Sequence, residues 1–447
     1  MHVSKFRYLF VLLVGGAGLF AQGFGGAVPA YDGPAILGRG GPTTGMRGAE
    51  SVPITLQASI NGTYDTNLIG YSLDSSGRFT QAAGAGVNAN IAVTGRKRWS
   101  RSFLGLTYTG DYSHFAKQPY FNGSNQQLNL ALGKQIGRKW QIASQTGAGT
   151  SNRFLGGPNV FQNSEIEFFT APVTELFDSR SYFIGNTTSA TYFLNSRQSI
   201  RVAGNGMTVR RKARGLVDMQ GYGASSDWVY RLSRRVSTGV SYVFNHYDYS
   251  KVFGESDIHT LGWHLSRRIG RDLEIAISLN GAKQSTVGVR SVELDPVIAS
   301  ILGRSSGAVV FESNNLLYGY SGTVTRRVRR STFSAAAQRA IIPGNGFFLT
   351  SINRTVNGSA SHSFSRDFSV DANFGYSKLS SLGFTAGDFS GWTGSGGMTY
   401  KITESIGVNG RYEWRNLNLS QSTFNRTGNR VTIGLTYFPQ QGLAGLF

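Results

Sequence analysis

HLSRRIGRDLEIAISLNG, residues 264–281, holds two kinds of information. In its second half Leu273, Ile275, Ile277 and Leu279 alternate with Glu274, Ala276, Ser278 and Asn280. Successive side chains rotate by a half-turn in a strand and by about 100° in a helix, so only a strand gathers those four apolar residues on one face. Between the halves stand Arg267, Arg268, Gly270 and Arg271, and glycine there reads as a turn. The stretch is a hairpin whose turn is basic.

The same arrangement returns at RLSRRVSTGVSYVF from Arg231, TVTRRVRRSTFSA from Thr323 and SFSRDFSVDANFGY from Ser363, with looser versions in TGRKRWSRSFLGL and IGRKWQIA. Alternation returns with it. Ile406, Val408, Tyr412 and Trp414 oppose Asn409, Arg411, Glu413 and Arg415, and Phe368, Val370, Ala372, Phe374 and Tyr376 oppose Ser369, Asp371, Asn373 and Gly375. Val236, Val240, Tyr242 and Phe244 make a third such face, Leu128, Leu130 and Leu132 a fourth, and Val431, Ile433, Leu435 and Tyr437 a fifth. The runs are roughly ten residues or longer, beyond the about five or six of soluble sheets and within the about 9–11 of a tilted strand that crosses a membrane. Counting runs between breakers, from one starting near Val52 to one starting near Thr427, gives about eighteen strands, or about sixteen if one weak hairpin is a folded loop. The fold class expected is all-β: a transmembrane, antiparallel, up-and-down β-barrel over residues 51–447.

Composition agrees. The chain has 59 Gly, 29 Phe, 20 Tyr and only 15% charged residues, the balance of a barrel in which every second strand residue meets lipid. It has no Cys, so no disulfide framework is available and stability falls to the strand ladder. The N-terminus, MHVSKFRYLFVLLVGGAGLFAQG, has a basic start at Lys5 and Arg7, an apolar run from Tyr8 to Phe20 and a small residue at Ala21. That is the layout of a secretory signal, with cleavage expected after Ala21 and, as second choice, after Ala30. Residues 22–50 are too rich in glycine and proline to build a core and read as a flexible periplasmic arm, or alternatively as a pore plug. Localisation in a bacterial outer membrane follows, with outer-membrane lipid and lipopolysaccharide as partners.

The formal charge of +20 invites a nucleic-acid reading. TGRKRWSR and TRRVRRS sit at turn positions of an exported chain, however, so nucleic acid is not an expected partner. Outer-membrane barrels have short turns on the periplasmic side and longer loops outside, which places Arg234, Arg235, Arg267, Arg268, Arg326 and Arg327 in turns at the periplasmic rim. Two readings of them stand: a ring of charge that draws an anionic solute or polymer, or strand ends that anchor the boundary and discourage edge pairing. Trp99, Trp140 and Tyr400, beside such turns, fit an interfacial aromatic belt. Residues 153–179 and 286–311 read as long outer loops, one of which folds inward to narrow the pore. Candidate lumen side chains are Glu274, Asp371, Arg411, Glu413 and Arg415, which form either a transverse field or a salt-bridged filler.

No metal site and no cofactor is expected, since His259 and His264 fall on opposite faces of one strand and no cysteine joins them. A hydrolase would need His114, His246 or His362 beside a serine and an acid. NHYDYS, residues 245–250, holds all three types, but the chain is not expected to be an enzyme. The last segment, GNRVTIGLTYFPQQGLAGLF, resembles the terminal strand by which outer-membrane assembly machinery recognises its clients, although PQQGLAGLF extends past the expected strand end at Phe438.

One stretch resembles a known family. ASINGTYDTNLIG, residues 58–70, places Tyr64, Asp65 and Asn67 in a pattern similar to the "YDxN" of outer-membrane barrels of the porin-2 type, and the repeated "LSRR" turns look similar too. Some of that group accompany exopolysaccharide export, so the resemblance implies polysaccharide-export components as partners. The residues themselves read either as local hydrogen bonding in a turn or as a ligand or cation site. Function is thereby narrowed to a water-filled pore for polar solutes or exported polysaccharide, against a barrel hydrolase or a structural envelope-assembly protein without an open pore.

Overall fold

The computed structural model describes residues 52–73, 79–118, 122–151, 180–212, 216–250, 254–293, 305–343, 349–382, 388–419 and 425–437. They form eighteen strands. The first six are β1 (Val52–Leu73), β2 (Phe79–Arg98), β3 (Ser102–Phe115), β4 (Gly123–Ile136), β5 (Trp140–Ser151) and β6 (Ser181–Phe193). Next come β7 (Gln198–Arg211), β8 (Asp218–Ser233), β9 (Val236–Ser250), β10 (Gly254–Ile269), β11 (Leu273–Glu293) and β12 (Ser306–Val328). The last are β13 (Ser331–Pro343), β14 (Thr350–Ser363), β15 (Phe368–Ser381), β16 (Asp388–Lys401), β17 (Ile406–Leu419) and β18 (Asn425–Tyr437). Each pairs antiparallel with its neighbours in the chain, and β1 pairs with β18, Ala58 opposite Tyr437 through Asp65 opposite Arg430. The sheet closes into an up-and-down barrel.

Alternation decides which face of each strand is which. Ile277, Leu279, Leu128, Leu132, Val431, Ile433, Leu435 and Tyr412 are exposed. Their neighbours Asn129, Thr432 and Arg415 are buried. The wall is inside out relative to a soluble protein, with apolar residues outward and polar ones inward, and so large an apolar surface is solvated by acyl chains. Aromatic residues border it at both ends. Trp99, Trp140, Phe364 and Tyr400 flank the short turns, and Tyr64, Tyr112, Tyr222 and Trp392 face out near the longer connections. Lys97 and Lys139 lie 5.8 and 5.9 Å from the ring centroids of Trp99 and Tyr192, a cation over an aromatic face at an interface.

The connections β2–β3, β4–β5, β6–β7, β8–β9, β10–β11, β12–β13, β14–β15 and β16–β17, each two to four residues long, lie at one end of the barrel. Three use a left-handed backbone, at Gly137 (φ 60°), Gly270 (φ 65°) and Arg329 (φ 49°). Glycine adopts this conformation without steric cost, whereas Arg329 adopts it with strain.

Two expectations are corrected here. Much of residues 286–311 is strand rather than loop: β11 and β12 stay paired out to Glu293 opposite Ser306, because Val287, Val289, Val309 and Phe311 continue the β-branched and aromatic pattern that favours strand, and residues 294–304 lie outside the described residues. Of the three doublets expected in turns, only Arg234 and Arg235 occupy one. Arg267 and Arg268 belong to the end of β10, and Arg326 and Arg327 to the end of β12, since the glycine at 270 and the left-handed residue at 329 mark where each chain reverses. Residues 153–179 lie outside the described residues, as do the expected signal, the arm and the tail beyond Phe438.

The wall parts between β12 and β13. β12 pairs with β13 from Val328 opposite Ser331 only as far as Tyr320 opposite Arg339. Beyond that point β12 continues against β11, and β13 against β14 as far as Pro343 opposite Thr350. The described ends of β13 and of β14, with Leu349 before it, turn into the barrel. Its sequence explains why: Ile341, Ile342, Leu349 and Ile352 are apolar on both faces, and Ile342, Leu349 and Ile352 are buried. Leu349 packs with Tyr247, Tyr249, Ile258 and Met219 on the inner faces of β8–β10, and the Tyr249 hydroxyl lies 2.9 Å from Thr350 Oγ1.

The lipid face is tested by charge. Ile433→Arg should lower the free energy of folding into phospholipid vesicles by about 2–4 kcal/mol, whereas Thr432→Arg, one residue along and facing inward, should cost markedly less. Urea titration of tryptophan fluorescence measures both.

Candidate functional site

The site is the inner face. On β1, Ser59, Asn61, Asp65 and Asn67 are buried inside the wall, joined by Asn88 and Asn90 from β2 and Thr432 and Thr436 from β18. Asn90 and Asn61 both donate to Ser59 Oγ, at 3.0 and 3.1 Å, and Asn88 donates to Ser113 Oγ at 2.7 Å. Yet Asn61 Oδ1, Asn88 Oδ1, Arg201 Nε and Asn205 Nδ2 have no protein partner. A buried polar atom left so costs roughly 1–3 kcal/mol unless solvent reaches it. The inner face on this flank is polar.

Four of the five candidate lumen residues meet in one chain of charges. Arg411 Nη1 lies 3.4 Å from Asp371 and its Nε 3.2 Å from Glu413. Glu413 lies 3.7 Å from Arg430, which is 2.9 Å from Asp65, and Asp65 is 2.7 Å from Arg415. Acid and base alternate along the whole line. The i, i+2 spacing of Arg411, Glu413 and Arg415 sets them on one face of β17, and the registers Asp371 opposite Gly397 and Glu413 opposite Arg430 bring in β15 and β18. Arg430 was missed from the sequence, although its signal was present, since Arg430, Thr432 and Thr436 share the face opposite Val431, Ile433 and Leu435. Glu274 stands apart near the short-turn end, 3.6 Å from Arg268.

The line changes character along its length. Arg411, Asp371 and Glu413 keep 28%, 18% and 25% of their side-chain surface exposed, while Arg415 and Arg430 keep 6% and Asp65 none. The open end lines the lumen; the closed end locks the wall. Asp65 accepts from Arg415 Nη2 on both oxygens, from Arg430 Nε and from the Asn67 backbone N–H. Arg415 also donates to the Asn67 carbonyl, Asn67 Nδ2 donates to the Thr427 carbonyl, and the Asn429 N–H donates to Thr66 Oγ1. Side chains thus take over where the β1–β18 ladder stops. Of the YDxN residues, Asp65 and Asn67 are engaged in this seam and Tyr64 faces outward, half exposed.

At the short-turn rim Arg234 and Arg235 are exposed between β8 and β9. The other doublets each split across the wall, Arg267 outward with Trp263 and Arg268 inward toward Glu274, Arg326 outward with Val324 and Arg327 inward.

The histidines do not assemble a catalytic set among the described residues. His246 faces outward and bonds Asp257 at 2.8 Å, with Asp248 at 3.4 Å. His362 lies 2.7 Å from Ser331 Oγ with no carboxylate bonded to it, and His114 lies 3.1 Å from Asn122. His259 bonds the Tyr242 hydroxyl on the outside, while His264 is buried inside.

No protein-family model matches the chain, and no curated protein sequence matches it. Solved structures do show likeness. Pseudomonas aeruginosa OccK2 (OpdF) is 12% identical, with a TM-score of 0.43 over 87% of this chain and 98% of that one. Pseudomonas aeruginosa OpdL is 13% identical, with a TM-score of 0.40 over 86% and 99%. Acinetobacter baumannii OccAB4 is 9% identical, with a TM-score of 0.41 over 87% and 99%. Likeness at that level transfers no function to this chain.

Removing the carboxylate at the seam separates the two ends of the charge chain. Asp65→Asn removes the buried carboxylate that Arg415 and Arg430 share, leaving Glu413 3.7 Å from Arg430, and should cost about 3–5 kcal/mol. Glu413→Gln, at a partly solvated position, should cost under about 1 kcal/mol. Urea-induced loss of the folded, heat-modifiable gel band ranks the two.

Proposed function

We propose that this chain is an outer-membrane barrel that forms a water-filled pore for polar solutes, after export and removal of residues 1–21. The observation that carries the reading is the inner face: a closed wall of eighteen strands whose interior holds partly exposed, alternating charges at Asp371, Arg411 and Glu413. A barrel of that size leaves space for water unless inserted segments fill it. The inward hairpin at Leu349 narrows one side of the lumen and makes it asymmetric, with an apolar wall at β8–β10 facing the polar one at β15–β1. A passing solute therefore meets hydrogen-bonding groups and paired charges on one flank and hydrocarbon on the other. That arrangement suits a small polar solute with an apolar face more than a bare ion. Arg234 and Arg235 at the short-turn rim add positive charge to one mouth, which favours entry of anions. The terminal strand β18 would serve recognition by the assembly machinery.

Conductance of the purified protein in planar bilayers, with reversal potentials in asymmetric salt, tests the proposal. Stepwise conductance is the expected result, and a folded but silent barrel removes the pore. Arg411→Ala should shift the reversal potential toward cation preference, because it leaves Asp371 and Glu413 without the cation between them.

A further inference from the structure

Arg339 is a buried cation without a counter-charge. Only 7% of its surface is exposed, and its Nε and Nη1 have no partner. No carboxylate bonds it among the described residues, because Arg354 and Lys378, the next cations along the ladder, share Asp388, with Lys378 at 2.6 Å. A guanidinium stays ionised when buried, so its burial is not relieved by loss of a proton. Its guanidinium carbon lies 3.6 Å from the ring centroid of Tyr318. A cation over a ring face is favourable, but the ring accepts none of the N–H groups that lie in the plane of the fork.

The parting of the wall sets what surrounds this charge. Arg339 is the last β13 residue paired with β12, and parity alone would turn it outward with Phe333. Beyond that pair β13 leaves β12, and Ile341 and Leu349 pack on Tyr247 and Ile258 of the inner face. The face of β13 that meets lipid near the short turns therefore lies, at its far end, against the inside of β9–β12. A cavity of about 60 Å³ remains between the two layers, lined by Arg339 and Ile352 and by Asn245, Ile258, Thr260 and Asn280. That is room for roughly four waters.

The polar part of the lining is made of donors. Asn245 is 6% exposed and its Oδ1 has no partner. A Cβ on Gly223 would collide with that oxygen, and one on Gly319 would collide with Asn280 Oδ1. Both oxygens thus lie on glycine backbone, which leaves the Nδ2 ends of the two amides free to donate. No described acid lines the cavity.

We propose that this cavity binds one small monovalent oxyanion of carboxylate size, held by the Arg339 guanidinium and the amides of Asn245 and Asn280. One cation among neutral donors matches a single negative charge, and a planar guanidinium fits a planar carboxylate. Ile258 and Ile352 suit a short aliphatic tail and disfavour a heavily hydrated multivalent ion. Bound there, the anion neutralises Arg339 and ties the end of β13 to β9–β11, which fixes how far the inserted strand ends reach into the lumen. The inference rests on the closed barrel and does not require the pore to conduct.

The test uses the full mature chain folded in deuterated detergent, with acetate as the probe and saturation transfer to its methyl protons as the readout. Saturable binding is expected in the unaltered protein and in Arg366→Gln at the opposite rim, and at least about tenfold weaker binding in two variants. Arg339→Gln removes the charge; Ala282→Leu, at a buried position in the lining, fills the cavity and keeps the charge. The heat-modifiable gel band shows which variants fold, and Ala282→Leu decides alone if Arg339→Gln does not. No saturable site in the folded, unaltered protein, or equal binding in Ala282→Leu, overturns the proposal and leaves the cavity to water. Nitrate should displace acetate and phosphate should not; displacement by phosphate at equal concentration overturns the monovalent class. Conductance measured in parallel separates this site from the pore: a conducting barrel without acetate binding sinks the site alone, and a silent barrel that binds acetate sinks the pore alone.

Discussion

Asp65 sits without solvent exposure where the first strand meets the last, and two arginines from different strands converge on it. The need for that contact follows from the solvent. In hydrocarbon no water satisfies an unpaired N–H or C=O, so a sheet there must return to its own first strand. β1 and β18 share a ladder only from Ala58 to Asp65. Beyond it, Asp65, Arg415, Arg430 and Asn67 hold the seam by charge and side-chain hydrogen bonds, within a barrel whose lumen lets such groups stay charged.

The β12–β13 junction shows the opposite solution to the same constraint. There the ladder also stops short, but Ile341 and Leu349 pack inward and an arginine stacks on Tyr318 in the gap. One opening in the wall is locked from inside by ions. The other is filled by apolar side chains of the hairpin and by Arg339 stacked on Tyr318.

Between these two junctions the interior is divided. The flank from β15 to β1 is a line of alternating charges that grows drier toward the seam, and the flank around β8–β10 is apolar and covered by Leu349. The same charged line thus has a structural end and a solvent-facing end. Only the second is positioned to act on a passing solute, and the difference is one of exposure rather than residue type.

Period-two alternation and run length sufficed to read about eighteen strands, with sixteen as the alternative, their direction and the inward placing of Arg411, Glu413 and Arg415, because in a strand the side-chain direction is fixed by parity alone. The basic turns were legible as one end of the barrel for the same reason, to within the two or three residues by which Arg267 and Arg326 fall inside their strands. What parity cannot tell is which strands are neighbours across the closure, or where a ladder ends. That Asp65 meets Arg415, 350 residues further along the chain, depends on the register in which β18 returns to β1. That Ile341 and Ile352 turn inward depends on the free apolar surface offered by Tyr247, Tyr249 and Ile258, which exists only once β8–β10 are in place. The sequence by itself determined the pattern of each strand; the tertiary structure decided closure, seam and lumen, since those arise from contacts between residues far apart in the chain whose pairing no local period encodes.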